Sequence, residues 1–172
     1  MKISVEPGEE TAEVREFNNL VWPPRLPPEQ SPVAHMAWDT SYARRILTQD
    51  NSGKILSQVA LIFRDAHWNS EPLRVGGIAG VGTTPKFRHN GLATAGKRRA
   101  VEILVEEDFD IGALFCAPEM VPFYARLGWR GFDGAVFIKQ PGNDHFPWGH
   151  CMTVAVKRNV LGGELDVAGL PW

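Results

Sequence analysis

TTPKFRHNGLATAGKRR, residues 83–99, sets two glycines, one proline and six basic or imidazole side chains between an apolar run and an amphipathic one. Three phosphate chemistries compete for it. GLATAGKR satisfies GxxxxGK from Gly91 to Lys97, but Arg98 stands where a magnesium-binding hydroxyl belongs. Its glycines also fall inside a helical pattern instead of before it, and no apolar strand ending in a magnesium-binding Asp is evident, so a nucleotide-triphosphatase loop is a poor match. GGIAGVG has its glycines in the wrong order for a dinucleotide fingerprint. The third reading takes RHNGLA itself as the anion loop, with free backbone N–H groups at a helix N-terminus and the helix dipole behind them. Gly91 then permits close approach of the backbone, Ala93 keeps the first turn open, and Arg88, His89 and Lys97 add positive charge. A plain strand-to-helix turn with solvated basic residues fits the same six letters, and both readings stand on the residues alone.

Outward from this stretch the periodicities are clear. From Gly91 to about Glu107, Leu92, Ala95, Ala100, Ile103 and Leu104 mark one apolar helix face, and Lys97, Arg98, Arg99, Glu102 and Glu106 fall mostly elsewhere. Upstream, LRVGGIAGVGTTP reads as a strand with bulge-prone glycines. ARRILTQD and ILSQVALIFRD are strands joined by the hairpin signal NSGK. KISVE alternates as a strand, and EETAEVREFNNLV carries Ala12, Val14, Phe17 and Val21 at helical spacing. WPPRLPPEQSP holds five of the thirteen prolines and predicts a rigid loop. Downstream, DIGALFCA is a buried strand, PEMVPFYARLG a short helix ending at Gly128, and GAVFIKQ and CMTVAVKR are strands. The order β, α, ββ, β, α, β, α, ββ predicts a single α/β domain over residues 1–172 with six or seven strands.

Composition narrows the function. The 172 residues are 44% hydrophobic, enough for a real core, and the net charge of −2 provides no global basic field for nucleic acid. Cys116 and Cys151 have no disulfide-framework spacing, and the opening MKISVEPGEE is acidic with no apolar signal core, so a cytoplasmic setting is expected. No apolar run reaches membrane-helix length. His145, His150 and Cys151 are close in sequence, but FPWGHC has no zinc spacing and no fourth ligand, so no metal is expected and the segment reads as a turn with aromatic packing. Cys116, within ALFCA, reads as a small buried hydrophobe.

RxxGLA after a strand and a proline, followed about thirty residues later by PFYARLGW, resembles the GNAT acyltransferase superfamily, as does the element order. The resemblance implies a central mixed, twisted sheet flanked by helices, with acetyl-CoA as the acyl donor. Val81, Gly82 and Thr83 then run beside the pantetheine arm, and Arg88, His89, Asn90, Gly91, Leu92, Ala93 and Thr94 hold the pyrophosphate. Tyr124 matches the family's proton donor to the departing thiolate, and its unperturbed pKa of about 10 keeps it protonated at neutral pH.

Among branches, the chain is similar to the aminoglycoside 2'-N-acetyltransferases. Ala79 stands where that branch has an acid, which argues against aminoglycosides but not against acetyl transfer. The tail ELDVAGLPW offers a substitute if it folds back: the carboxylate of Trp172, with Asp166 or Glu164, would orient the amine or take its proton. His35 and Asp39 border the acceptor side in the family, with capping or surface roles as their alternative. The implied reaction is acetylation of a primary amine on a small molecule. Acetylation of a protein or peptide amine, and a noncatalytic acyl-CoA sensor, are the alternatives, and the resemblance leaves room for a homodimer.

Overall fold

The computed structural model describes residues 1–23 and 35–172. The proline-rich loop expected at residues 22–32 lies almost wholly outside them. The elements run β1 (Lys2–Pro7), α1 (Ala12–Val21), β2 (Arg44–Gln49), β3 (Ile55–Trp68), β4 (Glu71–Thr83), α2 (Leu92–Glu106), β5 (Ile111–Phe115), α3 (Val121–Ala125), β6 (Arg130–Gly131), β7 (Asp133–Gln140), β8 (Asn143–Trp148), β9 (Cys151–Ala155) and β10 (Gly162–Asp166). The strands form one mixed sheet in the order β6-β9-β5-β4-β3-β10-β7-β8, with β2 on the first half of β3 and β1 outside β2. β3 is long enough for two partners on one edge: residues 55–61 pair with β2, and His67 and Trp68 pair with β10.

Local chemistry sets the two hairpins. Between β2 and β3, Asp50 Oδ1 accepts from the Ser52 and Lys54 amides, and Gly53 takes φ 86°. Between β3 and β4, Trp68 faces Glu71 across a two-residue loop, Asn69 and Ser70, both at positive φ, the turn whose twist matches the flanking strands. Alternate residues of β3 then face opposite sides of the sheet. Val59 and Leu61 pack with Ala100, Ile103 and Leu104 of α2, whereas Ala60 and Ile62 pack with Leu165, Val167 and Trp172 of the tail. A Cβ at Gly77 would run into the Trp172 indole, so the glycine makes room for the C-terminal segment.

Among the described residues ten strands stand where six or seven were expected. Three short ones account for the difference. β6 is two residues long. β8 contains Pro147, which suits an edge strand, and it pairs with β7 where a turn was expected. β10, GGELD, sits parallel to β7 and antiparallel to β3. The expected helix over PEMVPFYARLG is a 3₁₀ turn, Pro118–Met120, followed by the five-residue α3, and Gly128 at φ 87° closes the segment. No helix among the described residues is long and apolar enough to cross a membrane.

Candidate active site

The site begins where two parallel strands part. The β4–β5 ladder covers only Val75↔Ile111 to Gly77↔Ala113, although β4 runs on to Thr83 and β5 to Phe115. Just beyond that point Gln58 faces Gly82 while Ala60 faces Ala79, three steps of β4 against two of β3. This is a bulge, and Gly80 supplies its left-handed backbone at φ 51°. The Gln58 amide donates to the Gly80 carbonyl at 3.3 Å and accepts from buried Arg45 at 3.0 Å, which pins the distortion. A bulge increases local twist, so β4 swings away from β5 and its backbone from Ala79 to Thr83 has no strand partner on that side among the described residues. The resulting wedge holds a cavity of about 1020 Å³, with Ala79, Gly80 and Val81 on one bank and Phe115 and Tyr124 on the other. Trp22, Trp38, Tyr42 and Trp172 complete its aromatic wall.

At the end of β4 the chain makes a short 3₁₀ turn, Pro85–Phe87, and enters the loop of the opening sequence. His89 takes φ 64° and Gly91, the residue before α2, takes φ 76°. The first intrahelical bond is donated by Ala95 to the Gly91 carbonyl, so the amides of residues 92–94 have no intrahelical acceptor. No side chain among the described residues caps them, and the first turn carries no acid. A second hollow, of about 600 Å³, lies against this terminus. Residues 81–83, 88, 89 and 91–94 line it, opposite Phe123, Arg126 and Leu127. Asn90 does not: its side-chain amide donates back to the Arg88 carbonyl at 3.3 Å. Val81 borders both hollows, so they meet at the bulge.

α3 stands between the two. Phe123 faces the loop hollow, and Tyr124, 7% exposed, lines the larger cavity while packing edge-on against Phe123 and Trp129. Burial, with a smaller contribution from Cys116, pushes the Tyr124 phenol up to about 12.

Lys97 departs from expectation. Instead of adding charge at the phosphate loop, it is 1% exposed, with Nζ 3.3 Å from the centroid of the Phe123 ring and 4.3 Å from that of Tyr124. Its ammonium has no hydrogen-bond partner among the described residues, and burial pushes it down to about 7. The 93–97–100–104 spacing, an apolar stripe with one lysine in it, was the available sequence signal. Between pH 7 and 10 the unfolded chain binds more protons at this position than the folded one, so the destabilisation is full below pH 7 and fades as pH rises toward 10.5. Lys97→Met should therefore raise stability by about 1–3 kcal/mol at pH 6.5 and by less at pH 10. Chemical denaturation at the two pH values measures this; equal gains at both would show that the charge is not the cause.

The C-terminal segment is anchored across the sheet. Asp39 pairs with Arg64 at 2.7 Å, Asp39 N–H donates to the Pro171 carbonyl, and Arg64 also donates to the Leu170 carbonyl. Burial raises the Asp39 carboxyl, but hydrogen bonds from Ser41 and Arg64 outweigh it and hold the group below its usual value. Asp39 thus docks the tail and borders neither hollow, while His35 is exposed. Trp172, 8% exposed, contributes its indole to the cavity wall and packs against Phe115. Asp166 caps the Ala168 amide, Glu164 is exposed, and neither lines the cavity. Cys151 is buried and its thiol is pushed up to about 12, and burial also raises Cys116. His145 stacks on Phe137, and the described residues hold no group of three or more metal-ligating side chains.

A splayed parallel pair, a bulged strand and an uncapped helix start around one wedge define an acyl-CoA N-acyltransferase type of fold. An acetyltransferase (GNAT) domain model matches residues 8–131, and the chain belongs to the GNAT acetyltransferases. A GNAT family N-acetyltransferase from Escherichia coli, solved with CoA, aligns over 96% of this chain and 88% of its own at 16% identity and TM-score 0.60. A GNAT family acetyltransferase from Brucella melitensis, solved with acetyl-CoA, aligns over 95% and 94% at 12% identity and TM-score 0.61. Eis1 from Mycobacterium abscessus aligns over 76% of this chain but 32% of its own, at 14% identity and TM-score 0.57. No curated protein matches significantly.

Proposed function

We propose that this chain transfers an acetyl group from acetyl-CoA to a primary amine on a small molecule, at the wedge between β4 and β5. The observation that carries this reading is the meeting of the two hollows at Val81, one ending on uncapped helix amides and the other on Tyr124. The cradle fits the donor: orphan amides and a helix dipole suit a pyrophosphate, and the unpartnered edge of β4 suits an extended amide-bearing arm. The two structural relatives solved with CoA or acetyl-CoA support the same assignment.

Acetyl-CoA supplies an activated thioester. The chain's residues then do three things. The 88–94 loop and the β4 edge hold the donor so that the acetyl end lies at the bulge. The aromatic wall gives the acetyl end and the acceptor an apolar surface to pack against. Tyr124 donates its hydroxyl proton to the sulfur as the C–S bond breaks and the C–N bond forms; the new amide nitrogen releases a proton to solvent, from which the phenolate is restored. No Asp, Glu or His side chain among the described residues lines the cavity; Trp172 does, and its carboxylate is the group left to orient the acceptor amine.

The acceptor is small and not polycationic. Six aromatic residues line the cavity, its charged lining residue among the described residues is Arg45, and Ala79 gives no acid at the bulge. This disfavours an aminoglycoside. Thiol release across a library of primary amines, aminoglycosides and lysine peptides tests the reading, with apolar or aromatic small amines expected to be the best acceptors. Peptides as the best acceptors would favour the protein-acetylating alternative, and CoA binding without release for every amine would favour a sensor.

A further inference from the structure

We propose that Lys97 is a positioning residue for acetyl transfer: wedged against the faces of Phe123 and Tyr124, it gains a proton when the start of α2 takes up the CoA phosphates, and its cation then acidifies the Tyr124 hydroxyl. The inference rests on the proposed roles of Tyr124 and the 88–94 loop.

Packing alone does not account for a lysine here. The amine is enclosed, makes no hydrogen bond among the described residues, and lies within 4.3 Å of the ring centroid of the proposed donor. A methionine would fill the same space without burying an amine. Tyr124 has a use for the charge. A phenol near 12 is a much weaker acid than a thiol near 8.5, so protonating the departing thiolate runs uphill unless a cation favours the phenolate. Lys97 meets the π-face of both rings, an arrangement that accepts an ammonium without a counter-carboxylate.

The coupling runs along one helix. Lys97 lies six residues beyond Gly91, a rise of roughly 9 Å through low-dielectric surroundings, so phosphate charge at the helix start favours the ammonium. Other ionisable groups bear on the pair. Arg98 and Glu102 of α2 border the hollow beside Lys97, whose remaining walls are Val101, Leu127, Trp129 and Val154. Cys116 acts on Tyr124 from the end of β5, Arg45 lines the cavity with Tyr124, and His89 and Arg126 face the loop hollow.

Calorimetric titration of the protein with CoA at pH 7.5, in buffers of different ionisation heat, reads the proton uptake. Wild type should take up more protons than Lys97→Met. The cation is present at low pH and lost as pH rises, so kcat should show a descending limb at or above pH 7. Lys97→Met should lose that limb and roughly tenfold or more in kcat, corresponding to at least one pKa unit on the donor. Lys97→Arg, charged throughout, should carry activity to higher pH; Lys97→Gln, of similar length and uncharged, should behave like Lys97→Met and covers the case in which arginine does not fit. In a Tyr124→Phe background, substitution at position 97 should leave kcat unchanged while still reducing proton uptake. Wild-type turnover in Tyr124→Phe would overturn the donor reading, and the acidifying step with it. Slow Tyr124→Phe, combined with a Lys97→Met enzyme that keeps the wild-type pH profile and proton uptake, would overturn the Lys97 inference alone.

Discussion

Tyr124→Phe should reduce turnover roughly a hundredfold or more, because it removes one proton donor and little else. The ring stays, and with it the edge-on contacts to Phe123 and Trp129 that hold α3 against the core. Stability and CoA affinity should therefore hardly change. The loss should fall on kcat more than on KM, since the proton is delivered as the C–S bond breaks and not when the substrates bind. Burial places the phenol near 12, so the hydroxyl remains protonated across the whole practical assay range. An activity limb near neutral pH in the wild-type enzyme then belongs to another group. Initial rates at saturating amine and acetyl-CoA give the measurement, and a variant as fast as wild type would remove Tyr124 from the chemistry.

The parts of this site legible in the sequence are those decided by neighbours in the chain. RHNGLA announces a helix start with free amides because the glycine, the small first-turn residue and the missing acid are all within one turn. The NSGK hairpin and the buried strand of DIGALFCA are local in the same way. The wedge is not. It exists because the β4–β5 ladder stops at Gly77 while both strands continue, and because Gln58 and Arg45, from β3 and β2, brace the carbonyl of Gly80. Glycines in β4 showed that a bulge was permitted without showing where pairing would end. β10 was invisible for a related reason: GGELD has little strand propensity of its own and is held by β3 and β7 together. Tail docking depends on Asp39 finding Arg64, a contact between residues far apart in sequence. Lys97 is the instructive miss. Its place on the apolar stripe was readable, but its charge suggested the anion loop, and only the aromatic pair on α3 explains how an amine is accommodated inside.

Gly91→Val should weaken CoA binding by roughly tenfold to a hundredfold, and the cause is backbone geometry, not crowding. A Cβ at this position meets nothing among the described residues within 4 Å, so no clash there explains a loss. The residue sits at φ 76°, where an L side chain is strained by about 1–2 kcal/mol and a β-branched one by more. The chain relieves that strain by rotating residue 91 toward negative φ, which turns its amide and those of the first helical turn away from a common focus. Three free donors and the end of a helix dipole then no longer converge on one anion. The series of substitutions separates this mechanism from a packing defect. Gly91→Asn, which tolerates the left-handed region, should bind nearly as well as wild type. Gly91→Ala should fall between the two, and Gly91→Val should be weakest although its folded state remains intact. Calorimetric CoA titration, with thermal unfolding to verify folding, provides the ranking. Equal affinity across a folded series would move the phosphate cradle away from residues 88–94.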